Sequence, residues 1–258
     1  MRDRAITFFL AAALLASHAS GAAAEWGTLR GRFVVDGQPP APAEITPEKD
    51  PFCEQAKPTD ERVLVGDEGG LRNVVVYLRP RRGQSVPVHP DYAAAPAEPV
   101  SLVNRGCCFA PRVTLVRVGQ RLVVKNADPT AHNTKFDLVR NNPLNSVIPA
   151  GGELEAKFGV AESLPMPVSC NIHPFMRGYL LVRDDPYMAV TGERGAFEIA
   201  KLPAGEHRFQ LWHETGYLKG VATPAGGADR RGRVRLTIPA GGVVDLGDIA
   251  VPAELLAR

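Results

Sequence analysis

The sequence predicts an all-β protein. Short runs of alternating apolar and polar residues recur along the chain, and glycine and proline stand between the runs. The 25 glycines and 23 prolines supply turns, and no long segment repeats apolar residues at the helical period. Alternation over a few residues, separated by turn signals, is typical of β-sandwiches and barrels.

The first third of the chain combines strands with irregular segments. GTLRGRFVVDGQPP (27–40) alternates and then ends in Asp-Gly and Pro-Pro, which predicts a strand followed by a turn. A Pro-rich segment precedes residues 73–78, which are apolar enough for a strand buried on both faces. The residues after it have the composition of a linker, and RPRR at 79–82 favours a solvated basic loop over a docking patch.

The rest of the chain has a more regular strand pattern. We expect strands over 113–118 and 121–126, then ELEAKF with Leu154, Ala156 and Phe158 on one face. LPMPVSC and RGYLLVRDD predict strands on either side of one loop, and several strands with Gly-rich turns follow from Ala189.

The amino terminus predicts a secretory signal peptide over residues 1–24. Arg2 and Arg4 precede a short apolar segment, and Ala22 and Ala24 form a small-x-small cleavage site before Glu25. An uncleaved anchor is the alternative. No later segment is long and apolar enough to span a membrane, so we expect a periplasmic or secreted protein without a transmembrane segment in its mature chain.

Charge and motifs exclude some classes of function. A formal net charge of +2 argues against nucleic acid as the main partner. The sequence contains neither Gly-x-Ser-x-Gly nor His-Glu-x-x-His. These motifs are typical of serine hydrolases and zinc peptidases, so we expect a binding protein or carrier rather than an enzyme.

Three residues with metal-binding side chains follow one another at intervals of three in SCNIHPFMRGY: Cys170, His173 and Met176. NADPTAHNTKF supplies a second histidine, His132, at the end of an apolar run. Two imidazoles, a thiolate and an axial thioether are the ligands of the mononuclear blue-copper site. Zinc is the main competitor, but methionine is a poor zinc ligand. Each residue alone is also compatible with ordinary packing.

The other cysteines leave the disulfide pairing open. If Cys170 binds metal, three cysteines remain and at most one pair can form. Cys53 can pair with either Cys107 or Cys108, and all three can also be reduced and buried.

These segments resemble a known family. VSCNIHPFMRGYLLV and VGQRLVVKNADPTAHNTKF are similar to the ligand loop and the first-histidine strand of amicyanin and plastocyanin, the type 1 (blue) copper cupredoxins. The resemblance implies one copper ion held by His132, Cys170, His173 and Met176. Asn133 would hydrogen-bond across to the Cys170 loop. The family usually has proline directly before the first histidine, where this chain has Ala131.

The resemblance also implies a route for electrons. His173 would be a partly exposed ligand, with Pro174 and Phe175 in an apolar rim around it, although Phe175 can equally pack under the loop. The expected function is the transfer of single electrons between redox proteins such as a c-type cytochrome and a periplasmic dehydrogenase.

A second resemblance concerns both ends of the chain. GTLRGRFVVDGQPP and AVTGERGAFEIAKLPAGEHRFQLWHETGY are similar to the two halves of a carboxypeptidase regulatory-like domain, a transthyretin-type β-sandwich. We therefore expect a cupredoxin-type Greek-key sandwich over 96–186, inserted into a discontinuous second sandwich formed by 25–95 and 187–258. The alternative is two sequential domains, with 27–95 contributing to the cupredoxin sheet.

Two further functions stay open at this point. The chain could hold copper for storage or delivery without transferring electrons, or it could be a non-redox carbohydrate-binding or adhesion sandwich.

His213 and Glu214 in LWHE are adjacent, and we expect a histidine on the sandwich surface rather than a second metal site. His207 and His89 have the same interpretation.

Overall fold

A computed structural model describes residues 25–47, 50–81 and 83–257. The predicted signal peptide, residues 1–24, lies outside the described residues. Within them the helices are α1 (Pro51–Ala56) and three short 3-10 turns, at Asp67–Gly69, Pro90–Tyr92 and Ala253–Leu255. In this part of the chain we find no helix of the length and apolar character that crossing a membrane requires.

Strands are by far the main regular secondary structure of the described chain, so the predicted all-β fold class is confirmed. The first two are β1 (Trp26–Asp36) and β2 (Val75–Leu78). The middle of the chain forms β3 (Val100–Arg105), β4 (Cys108–Ala110), β5 (Val113–Arg117), β6 (Arg121–Asn126), β7 (His132–Phe136), β8 (Leu144–Ile148), β9 (Glu153–Lys157), β10 (Met166–Ser169) and β11 (Arg177–Arg183). The last part forms β12 (Met188–Val190), β13 (Ala196–Pro203), β14 (Gly205–His213), β15 (Gly216–Tyr217), β16 (Ala222–Thr223), β17 (Gly226–Gly227), β18 (Arg233–Ile238) and β19 (Val243–Pro252).

One β-sandwich combines strands from both ends of the described chain. Its first sheet has the order β13-β1-β19, and its second has the order β12-β2-β14-β15, with β18 also paired to β14. The two sheets share one apolar core, in which Leu29 and Phe33 of β1 lie with Phe209 and Leu211 of β14. Strand β18 alternates as a strand with one buried face should, with Val234 and Leu236 turned inward.

The middle of the chain forms a second β-sandwich. Its sheets have the orders β5-β11-β10-β7-β8 and β4-β3-β6-β9. Their inner faces share a core to which Phe136 and Leu180 contribute from one sheet and Leu102 and Leu122 from the other. The division into domains at residues 96 and 187 stays a prediction, although no sheet combines strands from the middle and the ends.

The two sandwiches pack against each other through a small apolar cluster. Val75 and Tyr77 of β2 lie there with Val113, Leu181 and Trp212. Every residue of β2 is buried, because its alternate side chains face the first core and this cluster. The predicted strand with two buried faces is therefore confirmed, over Val75–Leu78.

A disulfide fixes helix α1 to the middle sandwich. Asp50 caps the helix by accepting the backbone N–H groups of Phe52 and Cys53. Cys53 in the first turn forms a disulfide with Cys107, in the turn between β3 and β4. A helix of six residues is too short to be stable by itself, so the cap and the disulfide hold it in place.

Candidate metal centre

The pairing of three neighbouring strands positions the predicted ligands. Strand β10 is antiparallel to both β7 and β11, and Ser169 is paired with Lys135. His132 opens β7, Cys170 directly follows β10, and the loop from there to Met176 leads into β11. Residues separated by about forty positions are therefore brought to one end of the sheet.

Three predicted donor atoms converge in this place. The ligand atoms of His132, Cys170 and His173 all lie within 4.8 Å of one another, and all three residues are buried. The two imidazole Nδ1 atoms are 3.0 Å apart, and the Cys170 Sγ atom is 3.8 Å from Nδ1 of His173. Nδ1 of His173 therefore lies close both to the sulfur and to Nδ1 of His132.

Met176 closes the same loop. It is buried in the core of the middle sandwich together with Cys170. Its backbone N–H donates to the carbonyl of His173, and its carbonyl accepts from the N–H of Cys170 at 3.4 Å. These bonds close the loop from Cys170 to Met176 into a compact turn.

Two backbone N–H groups point at the sulfur of Cys170. The N–H of Asn133 lies 3.2 Å from Sγ and that of His173 lies 3.3 Å from it. Both N–H groups can donate to the sulfur of a thiolate, which is the form of cysteine that binds metals.

Asn133 connects the two ligand segments. Its side-chain oxygen accepts the N–H of Asn171 at 3.0 Å, across from β7 to the Cys170 loop. Its amide nitrogen donates to Asn145 Oδ1 and to the carbonyl of Ser146 on β8. The side chain is held from both sides, so it can fix the spacing between His132 and Cys170.

Each histidine has a carboxylate on its other ring nitrogen. Nε2 of His132 lies 2.8 Å from Asp128, and Nε2 of His173 lies 3.1 Å from Asp50. Asp128 also accepts the backbone N–H groups of Gly106 and Cys107. A carboxylate only accepts hydrogen bonds, so both imidazoles donate from Nε2, and an imidazole in its neutral form then keeps a lone pair on Nδ1.

This donor set fits a copper ion. Two lone pairs 3.0 Å apart repel each other in a buried site, and a cation bound between them and the thiolate relieves that repulsion. Two imidazole nitrogens and one thiolate form the trigonal set of blue-copper proteins. The residues that would hold the ion are His132, Cys170 and His173, with Met176 as the nearby thioether.

Burial and hydrogen bonds shift two pKa values around the centre. Burial lowers the pKa of His132 below 6.5, and the hydrogen bond to Asp128 opposes this. Burial alone would raise the pKa of Asp50, but hydrogen bonds from Thr130 and from the Cys53 N–H lower it below 3.8. A neutral imidazole and an ionised carboxylate are the forms that metal ligation requires.

The predicted partial exposure of His173 is wrong. Its side chain is only 3% exposed, because Asp50 and helix α1 cover the ring edge on which the family resemblance would place solvent. Thr130 donates to the same Asp50 oxygen at 2.8 Å and joins this cover to the segment before β7. We call Asp50 with helix α1 the cap of the site.

The aromatic rim is only partly as expected. The ring of Phe175 lies 5.7 Å from that of His173 and is half-buried against the core of the middle sandwich. Phe175 therefore combines the two alternatives that the sequence left open: it packs under the loop, and it flanks His173. Pro174 is exposed next to it.

The sequence left the disulfide pairing open, and the contacts of Asp50 and Asp128 with the two histidines were not predicted from it. The structure pairs Cys53 with Cys107 and leaves Cys108 free and half-buried. Asp128 stands four residues before His132, a spacing that gave a weak signal. Asp50 stands 123 residues before His173, and the sequence gives no sign that the two meet.

The predicted surface position of His213 is also wrong. The side chain is fully buried, and its Nε2 atom has no hydrogen-bond partner among the described residues. Glu214 beside it forms a buried ion pair with Arg112. His213 and Glu214 do not meet other metal-binding side chains in the described chain.

Of the comparisons with known proteins, the one with solved structures finds similarity, and the similar structures include cupredoxins. No known family profile matches the chain, and no curated protein matches it. The copper nitrite reductase of Thermus scotoductus is 23% identical over 38% of this chain and 27% of its own, with a TM-score of 0.32. The P94A mutant of amicyanin is 21% identical over 33% of this chain and 81% of its own, with a TM-score of 0.30.

A purple cupredoxin from Nitrosopumilus maritimus is similar to the same extent. It is 20% identical over 32% of this chain and 98% of its own, with a TM-score of 0.28. Similarity at this level does not support a conclusion about function. Any such conclusion has to rest on the donor atoms of this chain. None of these three structures is a carboxypeptidase regulatory-like domain, and that resemblance stays a prediction.

Proposed function

We propose that this protein is an exported blue-copper protein that binds one copper ion and transfers single electrons between redox partners. The observation that supports it is the convergence of two imidazole Nδ1 atoms and one thiolate within 4.8 Å in a buried β-sheet loop. When bound there, copper supplies a couple between Cu(I) and Cu(II).

The protein's part is to hold the donors rigidly. His132 and the Cys170 loop lie on paired strands, and Asn133 bonds the two segments together. The carboxylates of Asp128 and Asp50 keep the proton of each imidazole on Nε2. Ligands fixed in this way move little when the charge of the site changes, which suits a one-electron carrier.

The proposed setting follows from the amino terminus. A signal peptide would export the chain to the periplasm or beyond, where a disulfide such as Cys53–Cys107 persists. A c-type cytochrome or a periplasmic dehydrogenase would be a suitable partner. With four protein ligands the site has no open coordination position, so a carrier suits it better than an enzyme.

The thiolate gives the test of the proposal. The full chain, loaded with Cu(II), should show an intense thiolate-to-copper absorption band in the visible. Cys170→Ser should abolish the band, while Cys108→Ser, which alters the free thiol outside the site, should keep it. A colourless wild-type protein after loading and oxidation would refute the blue-copper assignment.

The cap favours a second candidate function, copper storage or delivery. Electron transfer benefits from a ligand edge that a partner can approach, and here Asp50 and helix α1 cover that edge of His173. Reversible one-electron voltammetry with rapid exchange to a c-type cytochrome would support the carrier. A coloured protein that exchanges no electrons but passes copper to a chelator would support storage.

A further inference from the structure

A surface cavity of about 540 Å³ lies on the first sandwich, far along the sequence from the metal ligands. The chain after β2, strand β14 and strand β18 surround it. Its charged lining consists of Arg79, Arg81, Arg208, Arg235 and a single carboxylate, Glu206. Four guanidinium groups against one carboxylate give the cavity a strong positive charge.

Three of these arginines form a row across neighbouring strands. Arg208 on β14 is paired directly with Arg235 on β18. Arg79 follows β2, and its N–H donates to the carbonyl of Arg208 at 2.7 Å. The adjacent residues Leu78, Phe209 and Val234 point into the core, so the three arginines project from the opposite face.

This row lacks the carboxylates that other arginines of the protein have. Among the described residues, none of the four cavity arginines forms an ion pair. About half of the other described arginines do: Arg30, Arg32, Arg62, Arg72, Arg112, Arg121, Arg183 and Arg233. Arg208 donates only to the carbonyls of Arg79 and Pro80, which orient its guanidinium without neutralising it.

The arrangement costs stability. Like charges directly opposite each other on paired strands repel, and Arg208 has arginines on both neighbouring strands. Burial first, and then the charges of Arg233, Arg79, Arg235 and Arg81, lower the pKa of Arg208 from its ordinary value. Departures from a local stability rule of this kind are found where a site serves a ligand.

We propose that this cavity binds an anion carrying at least two phosphate groups. Guanidinium groups recognise phosphate oxygens through paired hydrogen bonds in one plane. Cross-strand neighbours stand about 5 Å apart at Cβ, so adjacent arginines can each hold one of two linked phosphates. A soluble oligophosphate and the headgroup of cardiolipin, which carries two phosphates, share this chemistry.

Calorimetry on the copper-loaded full chain tests the proposal with inorganic pyrophosphate as the probe. We expect saturable binding that weakens as salt is added, with orthophosphate and citrate at least tenfold weaker. Arg208→Gln and Arg235→Gln should each weaken pyrophosphate binding at least tenfold. Arg121→Gln is the matched control, an exposed strand arginine outside the cavity with its own ion pair to Glu155, and should bind like wild type.

Vesicles distinguish the two sources of phosphate. Binding to vesicles that contain cardiolipin but not to vesicles of phosphatidylcholine or phosphatidylglycerol, lost in Arg208→Gln, would assign the site to a lipid headgroup with two phosphates. Binding of pyrophosphate without such vesicle binding would assign it to a soluble ligand. The proposal is overturned if neither probe binds, if citrate binds as tightly as pyrophosphate, or if Arg208→Gln binds like Arg121→Gln.

Discussion

The imidazole of His173 and the carboxylate of Asp50 are 3.1 Å apart, although 123 residues separate them in the chain. Asp50 also caps helix α1 and accepts the hydroxyl of Thr130. One carboxylate therefore joins the proposed ligand loop, the cap and the segment before β7. Its removal should affect metal binding more than folding.

Asp50→Asn is the first prediction. When the amide oxygen caps helix α1, the NH2 group takes the place of the oxygen that meets Thr130 and Nε2 of His173, and it can accept from neither. A hydrogen bond that orients a metal-binding histidine is worth about 10–100-fold in affinity, and we expect the affinity for copper to fall by that factor. Competition with a copper chelator measures it.

Asp60→Asn is the matched control for that experiment. Asp60 also accepts two backbone N–H groups in a loop, from Ala43 and Arg62, and among the described residues it makes no hydrogen bond to His132, Cys170 or His173. Its affinity for copper should stay within twofold of wild type. An equal loss of affinity in both variants would show that Asp50 acts through loop stability alone.

The Cys53–Cys107 disulfide gives the second prediction. It closes a loop with a sequence separation of 54 residues, and the loop-entropy relation gives a stabilisation of about 4 kcal/mol for that length. Cys53→Ser combined with Cys107→Ser should lower the free energy of unfolding by about 2–4 kcal/mol. Urea denaturation of the metal-free protein measures the change without a contribution from metal binding.

Cys108→Ser is the control for the disulfide variant. The Cys108 thiol is free and half-buried, and burial raises its pKa to about 11, so it is a protonated packing group. Its replacement should cost less than about 1 kcal/mol. A loss as large as that of the disulfide variant would contradict the pairing of Cys53 with Cys107.

The sequence predicted local features well because each depends on nearby residues. The alternation in β18 and the spacing of Cys170, His173 and Met176 can be read from one segment. The burial of His213 could not, because it is the last residue of β14, where the alternation ends and gives no sign of what covers the side chain. By alternation His213 lies on the face of Phe209 and Leu211, which point into the core of the first sandwich.

The same limit explains the arginine cavity. The segment RPRR at 79–82 predicted a solvated loop, because short basic runs usually lie in exposed loops. Arg208 and Arg235 join Arg79 only through the register of β2, β14 and β18. Sheet register across distant segments cannot be derived from the composition of any one of them.

The buried His213 gives the third prediction, a loss of stability in mild acid. Burial and the charge of Arg112 lower its pKa to about 4, so the folded protein keeps it neutral where the unfolded chain protonates it near 6.5. The free energy of unfolding should therefore fall as the pH drops from about 6.5 to about 4, by about 3 kcal/mol in all from this residue.

Urea denaturation at several pH values tests the role of His213. In His213→Gln the decline between these pH values should be about 3 kcal/mol smaller than in wild type, whatever the variant's stability at neutral pH. Leu211→Met, a packing change in the same strand, should lower stability by less than about 1.5 kcal/mol and keep the wild-type decline. An unchanged decline in His213→Gln would refute this assignment.

Gly195 gives the fourth prediction, and it compares two glycines of similar backbone conformation. Gly195 has φ +70° and Gly241 has φ +65°, a region that disfavours side chains in both cases. A Cβ atom at Gly195 would lie 2.1 Å from the carbonyl oxygen of Phe33, whereas one at Gly241 would meet no atom within 4 Å. The carbonyl of Gly195 also accepts the N–H of Phe33, so the backbone cannot move away without loss of that bond.

Gly241→Ala should therefore cost about 1–2 kcal/mol, the conformational penalty alone. Gly195→Ala should lower the free energy of unfolding by at least about 2 kcal/mol more, because the turn before β13 must shift away from β1. Urea denaturation of both variants measures the difference directly. Equal losses would mean that the turn at Gly195 relaxes freely and that its contact with Phe33 does not fix the edge of the first sandwich.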